Sequence, residues 1–106
     1  MIDEATIQAA VKMLLAAAPR GSKVILFGSW ARGQAGPHSD LDFLVVEPEG
    51  GSEFDEMVRL GEILAPLGVP VDVLVVSEAV FEYWLDTPNT VYYRAAKEGR
   101  AYEQVA

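Results

Sequence analysis

Cysteine is absent from this 106-residue chain, which excludes disulfides and any thiolate metal site. Any metal it binds must be a hard cation held through oxygen, and a reducing cytoplasm is its expected setting. Basic residues are scarce: eight Lys and Arg stand against sixteen Asp and Glu, for a net charge of −8. Such a balance opposes non-specific attachment to a phosphate backbone, so nucleic acid is a disfavoured partner. Long apolar runs are missing as well. No stretch reaches the roughly 18 residues needed to span a bilayer, and Asp3 and Glu4 stand where a signal peptide would carry positive charge. A soluble protein with no membrane partner is expected. The single histidine, His38, reads as a loop residue, since oxygen-bound magnesium does not require imidazole. What the chain has in quantity is apolar: 51% of residues are hydrophobic, enough for one domain over residues 1–106 that buries roughly two-thirds of its unfolded surface.

Helical and extended patterns alternate along the chain. Asp3 is placed to cap a first helix whose Ile7, Val11, Leu14, Leu15 and Ala18 form one stripe, ended by Pro19-Arg20-Gly21. Lys23 to Phe27, "KVILF", reads as a buried strand, and Gly28 to Ser39 as a long connection with one helical turn over Ser29 to Arg32. Asp40 to Val46 reads as a second strand. Ser52 opens a helix with Asp55 as an imperfect capping box and Phe54, Met57, Leu60 and Leu64 facing inward. A third strand covers Val71 to Val76, Ser77 caps "EAVFEYWL", and Thr87 or Asn89 starts a last helix that Gly99 closes. "RAYEQV" then supplies a weak edge strand. This alternation indicates an α/β (α+β) domain with a small sheet flanked by helices.

Two strands begin alike: Asp42 opens "DFLVV" and Asp72 opens "DVLVV", each acid followed on the same face by a leucine and a valine. The intervening helix makes a crossover, so the two strands should run parallel with both acids at one end of the sheet. As neighbours in register they would stand about 4.8 Å apart. Asp40, two residues before Asp42, projects from the same face. Three carboxylates this close raise one another's pKa and need a cation to remain ionised. An oxygen-only donor set favours two Mg²⁺ ions, with Mn²⁺ as an alternative, and magnesium commonly completes its shell with water and substrate phosphates. The preceding interval suits phosphate. Gly28 and Ser29 follow a strand, where a glycine admits an anion to the backbone amides, and Arg32 lies one turn on with a planar fork of donors. Gly28 and Gly33 have Walker A spacing, but Gln34-Ala35 replaces Lys-Ser or Lys-Thr, which rules out a P-loop.

The order "FGSWARG", "SDLDFLV", "VDVLVV" resembles the nucleotidyltransferase superfamily that includes DNA polymerase β. It is most similar to the minimal, MNT-type members paired with HEPN proteins, whose acidic helix end Lys97-Glu98-Gly99 also matches. The resemblance covers nearly the whole chain. It implies a polymerase β-like fold with a small mixed sheet. Asp40 and Asp42 would bind both metals, Asp72 would bind the metal that activates the nucleophile, and Gly28, Ser29 and Arg32 would hold a nucleoside triphosphate, with ATP the expected donor. It further implies transfer of a nucleoside monophosphate to a hydroxyl, with a tyrosine of a HEPN toxin as acceptor. A non-catalytic antitoxin that neutralises by binding alone is the main alternative, and an aminoglycoside-type small-molecule transferase a third. The acceptor, the nucleotide preference and any oligomer stay open. Trp30 is expected to pack over its loop, Tyr83, Trp84, Tyr92 and Tyr93 to pack in the core, and Glu47 to Glu53 to form an exposed loop.

Overall fold

The computed structural model describes residues 2–36 and 39–104, so His38 lies outside the described residues. Helix α1 (Glu4–Ala17) begins where the Asp3 carboxylate accepts from the Thr6 amide at 2.8 Å. It leads into β1 (Lys23–Phe27). Strand β2 (Leu41–Glu47) is followed by α2 (Glu53–Leu64), a 3₁₀ turn (Ala65–Leu67) and β3 (Val71–Ser77). Helices α3 (Glu78–Trp84) and α4 (Val91–Glu98) and strand β4 (Arg100–Glu103) complete the chain. The sheet order is β3-β2-β1-β4, with β2 and β3 parallel and the other two pairings antiparallel. The mixed α+β architecture expected from the alternation is present, including the parallel pair joined by the α2 crossover and the short edge strand β4.

Strand alternation divides the core in two. Val24 and Leu26 of β1 and Leu41, Phe43 and Val45 of β2 point towards α1 and α2, where they meet Ile7, Leu14, Leu60 and Leu64. Ile25, Phe27, Leu44, Val46 and Val76 point the other way and are covered by Phe81 of α3 and Ala95 of α4. Burial of the central strands on both faces explains why "KVILF" and "FLVV" are continuous apolar runs and not alternating ones.

Several expectations are corrected. Asp40 lies just ahead of β2, not within it. Thr90, not Thr87 or Asn89, caps α4, its hydroxyl accepting from the Tyr93 amide, while Asn89 adopts φ 70° in the turn before it. Phe54 is 70% exposed. It lies about 120° around α2 from Leu60, whereas Glu56 lies only about 40° away and takes the inward place in the first turn. Tyr83 and Trp84 are not core residues either, being 75% and 40% exposed and stacked edge to face at 5.0 Å. The two turns of α3 bury only Phe81. Tyr92 does pack against the second core.

Glu47 is the reason Glu56 turns inward. Expected in an exposed loop, it is instead the last residue of β2 and only 6% exposed. Burial, together with a hydrogen bond to and the charge of Glu56, pushes its pKa up to about 7. Glu56 is pulled down to about 2 by its bonds to Arg59 (2.6 Å) and Glu47. Arg59 also donates to the Ala17 carbonyl at 2.9 Å, tying α2 to the end of α1. Among the described residues no donor faces the buried Glu47 Oε2, as suits a protonated carboxyl.

The pair predicts a pH dependence of definite sign. Folded Glu47 keeps its proton up to about pH 7 but loses it near the ordinary 4.5 when unfolded. Its stabilisation is therefore complete at low pH and is lost as pH rises through 7. Glu56 acts in the opposite sense and only on acidification below 4.5 towards 2. Glu47→Gln stays neutral and can still donate to Glu56. At pH 8 it should be more stable than wild type by roughly 1–2 kcal/mol, since each unit of displacement is worth about 1.4 kcal/mol. Urea unfolding at pH 5.5 and pH 8 checks this, and equal losses in both proteins across that range would contradict it.

Candidate active site

The hydrogen-bonded rows of the sheet bring three segments to one pole. Antiparallel pairing sets Phe27, the last residue of β1, opposite Asp42. Parallel pairing sets Asp42 opposite Asp72. The register inferred from the repeated Asp-x-Leu-x-Val pattern is therefore the one observed. Asp42 and Asp72 share the face of Leu44, Val46 and Val76, the face that α3 and α4 cover. Leu41 extends the pairing by donating to the Pro70 carbonyl at 3.0 Å, which fixes the mouth at which Asp40 stands exposed.

Burial raises the Asp42 pKa above the usual carboxylate range, and the charges of Asp72 and then Asp40 raise it further. Arg32 and Arg94 oppose this. Asp72 and Asp40 are thus both close enough to act on the Asp42 carboxyl. Among the described residues no group of three or more His, Cys, Asp or Glu side chains stands close enough together to hold a metal ion by itself. The donor set and the charge imbalance nevertheless fit magnesium, which binds through one or two carboxylates and takes its remaining oxygens from water and phosphate.

The Gly-Ser segment is built against the same carboxylate. Gly28 has φ 78°, and a Cβ placed there would run into Asp42 Oδ2. Only glycine meets both conditions. The chain then makes a single turn, with Arg32 donating to the Gly28 carbonyl at 3.2 Å and Gln34 to that of Ser29 at 2.9 Å. The amides of Ser29, Trp30 and Ala31 have no backbone acceptor among the described residues and stand at the open end of this turn. Trp30 packs against the first core and donates through its indole N–H to the Ser39 carbonyl at 3.3 Å, which pins the turn to the segment ahead of Asp40. The Arg32 side chain has internal partners: its Nε donates to Gln34 Oε1 at 3.1 Å, and its Nη1 pairs with Glu98 Oε2 at 3.4 Å.

Helix α4 forms a third wall that sequence reasoning did not find. Arg94 is near enough to stabilise the Asp42 charge, and Glu98 holds Arg32. They are four residues apart and so share a helix face, a spacing visible in the sequence but without meaning until the helix is docked. Gly99 does the docking. Its Cα fits between Ile25 Cγ2 and the Leu26 and Ala95 carbonyls, with no room for a side chain. A groove of about 730 Å³ lies elsewhere, at the opposite pole, with Lys23, Phe81 and Leu85 among its lining residues. None of the three aspartates lines it.

The glycine contact can be tested by difference. Gly28→Ala should lower stability by about 1–2 kcal/mol from left-handed backbone strain and in addition displace the Asp42 carboxylate. Gly33→Ala, at φ 71° with nothing within 4 Å of a new Cβ, should incur the strain alone. Denaturant midpoints together with Mn²⁺ titration separate the two effects. Equal stability losses and equal metal affinity in both variants would mean that Gly28 does not make room for Asp42.

A family model described as a nucleotidyltransferase domain matches residues 7–101. A Methanocaldococcus jannaschii protein that bears the name of a protein adenylyltransferase is 41% identical over 63 residues, which span 58% of this chain and 60% of that relative. The match thus takes in less than two-thirds of the relative's length. Among solved structures, one bearing the name of a minimal nucleotidyltransferase is 34% identical with a TM-score of 0.60, covering 93% of this chain and 95% of the other. A toxin–antitoxin complex crystallised with AMP-PNP has a TM-score of 0.64 at 18% identity, over 97% of this chain and 75% of its own. A mutant of the MntA–HpeT toxin–antitoxin has a TM-score of 0.62 at 19% identity, over 99% of this chain and 75% of its own. Those two likenesses are of fold. Through a match that runs from α1 to β4 and includes the Gly-Ser turn and both aspartate-bearing strands, this chain belongs to the nucleotidyltransferase domain family.

Proposed function

We propose that the chain is a magnesium-dependent nucleotidyltransferase that moves AMP from ATP to a hydroxyl, the acceptor being a tyrosine of a HEPN-type toxin that it neutralises. The observation that carries this reading is the Asp42–Asp72 register with Gly28 packed against Asp42, which brings the Gly-Ser turn and adjacent carboxylates to one pole. The name of the Methanocaldococcus jannaschii relative supports protein as the acceptor class, and the toxin–antitoxin assemblies among the fold neighbours support a toxin as partner.

In this reading the acceptor oxygen attacks the α-phosphorus, the bond to the bridging oxygen of the β-phosphate breaks, and pyrophosphate leaves in line. Asp40, Asp42 and Asp72 would hold the metal ions, Asp72 contributing only to the one that activates the acceptor. Magnesium or manganese so held supplies the charge that lowers the acceptor hydroxyl's pKa and neutralises the departing pyrophosphate. The free amides of the Gly28–Arg32 turn, the Ser29 hydroxyl and the Arg32 guanidinium hold the triphosphate. The chain's own work is positioning and charge neutralisation, with no covalent intermediate.

A second reading, neutralisation by binding alone, is favoured by one observation, the solvent-facing cluster of Val80, Tyr83 and Trp84 on α3. Aromatic side chains held outside the core suit a protein interface. The two readings part at Asp72. Asp72→Asn nearly keeps the side-chain volume and removes one ligand charge, so the variant should co-purify with the toxin but transfer nothing. Intact-mass spectrometry of the toxin after incubation with ATP and Mg²⁺ should show increments of about 329 Da (one AMP less water) with wild type, none with the variant, and none with wild type in EDTA, as the two-ion chemistry requires. If wild type adds no mass while both proteins silence the toxin equally, binding alone is the function.

A further inference from the structure

Arg32 is not free to meet a triphosphate in the structure described above. Its Nη1 pairs with Glu98 and its Nε with Gln34, so two of the five guanidinium N–H donors are already engaged, and a bidentate phosphate contact through either of those nitrogens competes with an internal partner. The bond to Glu98 spans 66 residues of sequence and joins the phosphate turn to the end of α4. It is also a weak bond. At 3.4 Å, with the two side chains 37% and 41% exposed, it is screened by water and readily exchanged. A carboxylate left in that place would lie beside a polyanionic triphosphate, in a protein that already carries a net charge of −8.

One turn earlier on the same helix face, Arg94 makes no ion pair with any described residue, although it acts on the Asp42 charge. At i,i+4 it shares the helix face of Glu98, within the reach of a side-chain ion pair. Its own position by Asp42 would be opposed once cations occupy the carboxylates. Both halves of an exchange are therefore in place around one mouth.

Resting on the transferase reading, we propose that Glu98 is a displaceable internal competitor for the triphosphate: Arg32 exchanges the Glu98 carboxylate for the nucleotide's phosphates, and Glu98 passes to Arg94. The exchange lowers nucleotide affinity in a graded way and couples occupancy of the phosphate turn to the charge pattern on α4. Its role is that of a positioning residue, acting on ligand only through Arg32.

Calorimetry with the α,β-methylene analogue of ATP and Mg²⁺ on the whole chain tests this through a double-mutant cycle of Glu98→Gln and Arg32→Ala. Glu98→Gln alone should bind the analogue about two- to fivefold more tightly, the range that an exposed ion pair accounts for. In the Arg32→Ala background the same change should have no effect. An equal gain in both backgrounds would reflect only the loss of a negative charge and would overturn the exchange. Weaker binding by Glu98→Gln in the wild-type background would also overturn it, because Glu98 would then be holding Arg32 in its productive pose. Glu98→Ala should match Glu98→Gln, which guards against an effect particular to the amide. If wild type binds no analogue at all, the transferase reading fails and takes this inference with it. Binding by wild type that is indifferent to Glu98 removes the exchange alone.

Discussion

Asp42 and Asp72 cannot avoid each other. The parallel ladder between β2 and β3 holds their backbones at neighbouring positions in the same row, and seven consecutive pairs from Leu41↔Val71 to Glu47↔Ser77 prevent either from slipping. A shift of one residue would bring Asp42 and Asp72 to opposite faces and turn the buried Phe43 and Val45 out of the first core. Hydrophobic register therefore enforces electrostatic conflict. The remainder of the pole answers that conflict: Gly28 leaves room for the Asp42 carboxylate, and Arg32 and Arg94 lie where they oppose its raised pKa.

The two ends of the sheet handle buried acid differently. At the candidate active pole, Asp42 is raised by burial, Asp72 and Asp40 and relieved only partly by Arg32 of the Gly-Ser turn and Arg94 of α4. At the other pole Glu47 is sealed under α2, keeps its proton, and shares a hydrogen bond with a Glu56 that Arg59 neutralises. In one arrangement Asp40 and Asp72 are exposed to solvent; the other is closed within the protein and serves to fasten α1, β2 and α2 together. Both draw on the same physics, the cost of ionising a carboxylate near another or away from water. Access to an external cation separates a site from a structural latch.

Glycine has two distinct uses in linking these parts. Gly28 supplies a left-handed backbone and a missing side chain at the same atom, which is why the phosphate turn can begin directly on the strand that faces Asp42. Gly99 has an ordinary φ, and its requirement is only space, since α4 approaches β1 closely there. Without that approach Glu98 would not reach Arg32, and Arg94 would stand too far from the aspartates to influence them.

Much of this architecture was legible in the sequence because it depends on local rules. Asp3, Ser52 and Ser77 cap helices where hydroxyl or carboxylate side chains precede apolar stripes, and each accepts the expected amide. The parallel pairing of "DFLVV" with "DVLVV" followed from a crossover helix and a shared pattern. The family followed from Gly-Ser, Asp-x-Asp and a lone aspartate occurring in order. Other features depended on how helices rotate and dock. Phe54 and Met57 fit the same apolar stripe, and only the Glu47 carboxyl waiting beneath α2 decides that Glu56 turns in and Phe54 turns out. Tyr83 and Trp84 are apolar enough for a core, but a helix of two turns presents too narrow a face to bury them with Phe81. Arg94 and Glu98 are ordinary helix-surface residues by pattern, and they reach the carboxylates and the phosphate turn only because Gly99 lets α4 close on β1. The sequence by itself determined which residues cap, pair and alternate, since those choices are made within a turn or across one crossover. Tertiary structure decided which charges meet, since that depends on the packing of elements far apart in the chain.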